Sequence, residues 1–180
     1  MMDLTKKDLP NVVEINGKSY LIKTDFRLWM RFEIEVSKIG LDGSVDVSYL
    51  FEDEMPEQCN LEELFVFSRP VAELPRVVSH LRSDVIAYDY ELDSDLIFAA
   101  FLGQYGIDLT VADLHWHKFL ALFRGLNDST RMREVMGYRC YEKQTNKDRD
   151  VYEELRQAWE IRRMTAQEKA EEEKFSSYFE

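Results

Sequence analysis

Positive charge is scarce in this chain: 23 Lys and Arg face 35 Asp and Glu, leaving a formal net charge of −12. That shortage argues against nucleic-acid binding, because affinity for a phosphate backbone comes from clustered cations that release counterions. Any charged partner is expected to be basic. Cysteine is nearly absent. Cys59 and Cys140 are far apart and in no metal-ligand spacing, so two reduced thiols are expected, with a disulfide as the alternative. Glycine is also sparse, and none of the seven falls in a P-loop, a GxGxxG turn or a GxSxG elbow. No apolar run approaches the roughly 18 residues of a membrane span. The opening MMDLTKKDLP has no apolar stretch after Lys6 and Lys7 to serve as an export signal. Neither membrane nor nucleic acid is expected as a partner, and the cytoplasm is the expected compartment.

What remains is a chain built to pack. At 180 residues with 45% hydrophobic and 13% aromatic side chains, it can form one sizeable core and is not compositionally disordered. In VVEINGKSYLIKT, two β-prone runs meet at Asn16-Gly17, the pair a type I′ hairpin turn favours. Asp25 is the expected N-cap of a helix through about Ile39, with Leu28, Trp29, Phe32, Val36 and Ile39 on one stripe and Gly40 as its stop. From Leu41 to Ser68 there are eight acids (Asp42, Asp46, Glu52, Asp53, Glu54, Glu57, Glu62, Glu63) and no Lys or Arg. The plain expectation is a solvated loop followed by a short helix, LEELFVF, capped by Asn60; a face for a basic partner is the alternative. The stretch RVVSHLRSDVIAYDYEL, after Pro70 and Pro75, is ambiguous between helix and extended link.

DSDLIFAAFLGQYG is expected to be a helix capped by Asp93 or Ser94 and closed by Gly106. Leu96 to Leu102 and Tyr105 leave it almost no polar face, so it is expected to be central and surrounded by other helices. Thr110 and Asp113 resemble a capping box opening the helix that holds LHWHKFLALFRGL, residues 114–126. Two more helices are expected, in STRMREVMGYRCYE and in the long NKDRDVYEELRQAWEIRRMTAQEKAEEEK. The apolar stripe of the second (Val151, Tyr152, Leu155, Ala158, Trp159) fades after about residue 160. The domain plan is a single helical domain with an N-terminal hairpin over 1–145 and a C-terminal helical arm over 146–180, its distal part charged.

The histidines are the first candidates for chemistry. On a helical wheel His115 falls in the apolar arc with Trp116, Phe119 and Phe123, and His117 falls about 200° away. His115 is therefore expected to be a core residue, and His117 an exposed one pairing with Asp113. Two ligands two residues apart on a helix cannot converge on one metal, so HWH is not a metal motif. Acids at 89, 91, 93 and 95 suggest a calcium loop, but Ser94 and Ala100 occupy the positions where an EF-hand needs Gly and Glu; capping and solvation are expected instead. His80 has no Ser or Cys nucleophile pattern around it. Neither a catalytic site nor a cofactor is expected.

Four stretches together, TDFRLWMRFE (24–33), YDYELDSDLIFAAFLGQYGIDLT (88–110), LHWHKFLALFRGL (114–126) and VMGYR (135–139), resemble the phage gene-product-fifteen family. Its members occur in long-tailed phages (siphophages) and prophages of Gram-positive bacteria, encoded between the major tail protein and the tape-measure protein. His117 stands where the family commonly has a second Trp. The resemblance implies a non-enzymatic tail-assembly chaperone or tail-morphogenesis factor in the host bacterial cytoplasm, binding the tape-measure and major tail (tail-tube) proteins, with self-association left open. A structural virion component, such as a connector or tail-completion protein, is the alternative. Trp116 and Phe123 are candidate partner contacts if no helix of the same chain covers them. Phe175, Tyr178 and Phe179, grouped on one helical face by their spacing, are a candidate docking patch. The expected fold is mainly α: a packed domain of five or six helices with a small N-terminal β-hairpin and a long, protruding C-terminal helix.

Overall fold

The computed structural model of the chain describes residues 4–39, 44–70, 85–142 and 151–162. Gly40, Asp42, His80 and the tail with Phe175, Tyr178 and Phe179 lie outside the described residues, as does most of the ambiguous stretch after Pro75. Among the described residues the fold is mainly α. Strands β1 (Val12–Ile15) and β2 (Lys18–Leu21) precede six helices: α1 (Phe26–Lys38), α2 (Leu61–Ser68), α3 (Ser94–Tyr105), α4 (Trp116–Arg124), α5 (Arg131–Arg139) and α6 (Val151–Trp159). The chain divides into two compact units: Met1–His80 with Tyr88–Glu134, and Leu81–Ala87 with Val135–Glu180.

In the first unit the hairpin forms as the sequence predicts. Asn16 and Gly17 both take positive φ, 51° and 76°, which turns the chain in two residues. Val13 and Ile15 point inward, while Val12 and Leu21 pair across the outer face. The acidic segment after α1 is less solvated than expected. Phe51 bridges to Ile22, the Lys23 N–H donates to the Leu50 carbonyl, and Val47, Leu50 and Phe51 are buried. The acids Asp46, before them, and Glu52, Asp53, Glu54 and Glu57, after them, face outward. The physical reason is the hairpin's own edge: β2 and the residues just after it leave backbone groups unpaired, and the acidic segment supplies partners for them, the Glu52 N–H donating to the Leu21 carbonyl.

Aromatic side chains fill the core of this unit. Phe119 of α4 is fully buried and stacks on Phe26 at 5.2 Å, Phe101 at 5.0 Å and Trp116 at 5.6 Å. One ring thereby joins α1, α3 and α4. Tyr90 and Phe123 close the same cluster. α3 is not the surrounded helix its composition predicts. Ile97, Ala100 and Phe101 are buried, but Leu102 is 46% exposed and Ala99 and Gly103 are exposed. The amphipathic α4 takes the central place, because its aromatic stripe meets both α1 and α3.

In the second unit, Tyr152 of α6 lies beside Tyr138 and Tyr141. α6 ends at Trp159, and residues 160–162 are not helical, so the long C-terminal pattern is interrupted there. The Arg139 Nε–H donates to the Trp159 carbonyl at 2.8 Å, satisfying one of the carbonyls left open at the end of α6. The Arg139 Nη1 also donates to the Ala87 carbonyl.

Truncating the central ring measures this packing. Phe119→Ala is expected to lower the unfolding free energy by about 3–5 kcal/mol and Phe119→Leu by clearly less, both read from urea unfolding midpoints.

Candidate functional site

Three of the four stretches that carry the resemblance, those at 24–33, 88–110 and 114–126, converge on one junction built from helix ends. α1 is capped by Asp25, whose carboxylate accepts from the Arg27 N–H at 2.8 Å. α4 is capped by His115, whose Nδ1 accepts from the His117 N–H at 3.0 Å. The first N–H of each helix is satisfied by the chain leading into the other. Phe26 N donates to the Leu114 carbonyl at 3.0 Å and Trp116 N to the Thr24 carbonyl at 2.7 Å, so Asp25 and His115 face each other in an antiparallel bridge. Two helix N-termini thus cap each other reciprocally, each through one side chain and one borrowed carbonyl. Arg27 extends the junction: it pairs with Asp25 and donates from Nη2 to the Leu109 carbonyl at 2.8 Å, tying TDFR to YGIDL.

The HWH triplet is therefore a structural node, and two expectations about it are corrected. His117 is the buried histidine, 6% exposed, stacked on Phe67 at 4.4 Å with Nε2 bonded to the Phe67 carbonyl at 2.9 Å. His115 is the half-buried one, its Nε2 bonded to the Pro10 carbonyl. The difference at His117 comes from the Phe67 ring and carbonyl packed on it, and that at His115 from where the helix begins. Asp108 accepts from both the backbone N–H and the hydroxyl of Thr110, so the capping-box residue is held in a turn and α4 starts only at Trp116. His115 is outside the helix, and a wheel that includes it assigns the wrong face. Trp116 is 1% exposed and Phe123 4% exposed, covered by their own chain, so neither offers the partner contact considered for it. The Trp116 indole N–H donates to the Ser68 carbonyl at 2.8 Å; with His117 it caps the C-terminus of α2.

The acids at 89–95 close a turn. Asp89 accepts from the N–H groups of Glu91 and Leu92, and Asp93, 2% exposed, accepts from the N–H of Asp89 and precedes α3 as its N-cap residue. Among the described residues no group of three or more His, Cys, Asp or Glu is placed to hold a metal ion, and no helix is long and apolar enough to cross a membrane. Cys59 and Cys140 are both thiols. A cavity of about 520 Å³ in the second unit is lined by Arg139, Arg156, Gln157, Glu160 and their neighbours. Arg156 in it already pairs with Glu153 at 2.8 Å and with Glu160 at 3.3 Å.

A different feature presents free apolar surface. The outward side of α3 carries Leu96, Ala99, Leu102 and Gly103, and Leu92 just before the helix is 68% exposed. Asp95 is the one charged residue within α3. Beside this face runs a groove of about 430 Å³ whose other wall is Asn127, Ser129, Thr130 and Arg131. Gln104 holds that wall: its side chain donates to the Gly125 carbonyl and accepts from the Asn127 N–H. A Cβ at Gly125 would meet both the Ala121 carbonyl and the Tyr105 hydroxyl at 3.3 Å, a tight contact to which a neighbour would have to yield by a few tenths of an ångström. Composition showed that α3 needs cover on every side, and not that this side is left exposed.

Two measurements follow from the junction. Burial holds the pKa of both His115 and His117 below the ordinary 6.5. Protonation would put an N–H on His117 Nδ1, which is buried without a partner, and would remove the acceptor His115 offers to α4. A folded-state pKa below the unfolded value means that the neutral forms stabilise the fold above about pH 6.5 and that stability falls as pH drops below it. Unfolding free energy should decline on that side, and His117→Gln, which keeps a donor but does not titrate, should flatten the decline. Trp116→Phe leaves the Ser68 carbonyl without its indole partner; a loss of about 1–3 kcal/mol is expected, with unchanged binding to any protein partner in a capture assay.

The model of one family, described as Bacteriophage Gp15 protein, matches residues 5–161. Comparison with curated proteins and with solved structures gave no match. The matched span holds the hairpin, the reciprocal helix caps and the α3 face together. The chain belongs to the Bacteriophage Gp15 protein family and has a phage structural or morphogenesis role.

Proposed function

We propose that this protein is a tail-assembly chaperone, a non-enzymatic morphogenesis factor that binds the phage tape-measure and tail-tube proteins in the host cytoplasm before the tail polymerises. The observation that carries the reading is the outward face of α3, where Leu92, Ala99, Leu102 and Gly103 are exposed and Leu96 is half-buried. Apolar surface of this kind is where a helical client's stripe is covered in helix-in-groove recognition. The net charge of −12 suits the same role, since an acidic shell keeps a complex with a long, aggregation-prone helical chain in solution. The polar groups of the junction are engaged in holding helix ends together, which fits a binding protein better than an enzyme.

Co-expression with segments of the tape-measure protein, followed by affinity capture, tests the proposal. The expected outcome is stoichiometric capture and a larger soluble fraction of the segment. Absence of both with each protein folded, together with detection of this chain in purified virions by mass spectrometry, would replace the chaperone reading with that of a virion component.

A further inference from the structure

The partner chemistry of the α3 face can be specified further, in an inference that rests on the protein-binding reading above. On the helix, Leu102, Asp95, Ala99, Gly103 and Leu96 span one continuous arc, opposite the buried Ile97 and Phe101. The arc has the width and spacing of a helix-packing stripe, and its centre is small: Ala99 and Gly103, four residues apart, let a second backbone approach closely. Its charge is uneven. At the N-terminal end Asp95 and Glu91 flank Leu92, all three exposed. Glu91 pairs with Lys38, and its side chain remains 54% exposed. Within the helix the C-terminal end, with Leu102, Gly103 and Gln104, is uncharged, and α3 contains no Lys or Arg; along the groove's other wall Arg131 pairs with Glu134, and Asp128 beside it pairs with Arg133. Asp95 and Glu91 put the charge carried by α3 and its approach at the N-terminal end, which orients what binds there.

We infer that the outward face of α3 and its adjoining groove seat one amphipathic helix of a partner protein, with Lys or Arg beside its apolar stripe at the end lying over Glu91 and Asp95. The apolar stripe supplies most of the affinity; the charged end fixes direction and excludes acidic helices. A second copy of this chain fits less well: a parallel pairing of two α3 faces brings acid against acid, and in an antiparallel pairing the cation of the groove, Arg131, is already paired with Glu134.

The test uses the full chain and two designed amphipathic helical peptides with the same Leu/Ala stripe, one flanked at one end by Lys and the other by Glu. The Lys-flanked peptide is expected to bind at least about tenfold more tightly than its counterpart. Ala99→Arg, at an exposed position where the fold is expected to survive, should weaken it about tenfold or more. Asp95→Lys should reduce or reverse the preference between peptides. Circular dichroism and a melting curve of each variant show that it remains folded. Equal binding of the two peptides, or indifference to both substitutions, would overturn the assignment. So would a dimer in sedimentation that Ala99→Arg dissociates, which would give the face to a second copy. Peptide binding without capture of tape-measure segments would refute the proposed client and leave the face assigned; capture that Ala99→Arg does not weaken would refute the face and leave the client.

Discussion

Four unsatisfied N–H groups open every α-helix, and burying such an end without partners is costly. Here two helices solve the problem with each other. Each first N–H donates to a carbonyl from the approach to the other helix, and each second N–H is met by the cap side chain, Asp25 in α1 and His115 in α4. Once these ends are fixed, Phe26 is held over Phe119, Trp116 and His117 reach the last carbonyls of α2, and Arg27 reaches the loop after α3. Three helices and the hairpin's approach are therefore positioned by one short piece of backbone pairing. The positive dipole ends of two helices also meet there, a place that suits the Asp25 carboxylate and neutral imidazoles.

This arrangement separates the residues that make the chain recognisable from those available to a partner. Asp25, Arg27, Trp116 and His117 lie in the stretches that carry the family resemblance, yet they are engaged in contacts within the chain. Two features of the described surface stand apart from these contacts: an acidic belt on the segment beside the hairpin, and an apolar helix face on α3. A protein that acts by covering another protein's helix needs both, one to bind and one to stay in solution.

Where a local rule decides structure, the sequence is readable. Asn16-Gly17 specifies its turn, Asp25 its helix start, and Gly106 closes α3 with φ of 67°. The Phe32 and Trp29 stripe follows from the helical period. The errors arise where a distant partner decides. Thr110 is a good cap by local rules, but Asp108 takes it, the start of α4 moves to Trp116, and His115 falls outside the helix. Nothing near His117 in sequence indicates that the Phe67 carbonyl, 50 residues away, is its partner. The burial of Leu50 and Phe51 is likewise hidden among acids, because the unpaired edge of β2 that draws them in is a tertiary feature. The exposure of α3 escapes the sequence for a related reason: an apolar helix signals the need for cover and does not say whether the cover comes from the same chain.

The most direct measurement is amide hydrogen exchange of the full chain, alone and in complex with a captured tape-measure segment. If the junction is structural and α3 is the binding face, amides around 24–27 and 114–117 are protected already in the free protein and change little. Those of α3 around 96–103 then gain protection in the complex. Protection gained at the junction, with α3 unchanged, would contradict both assignments.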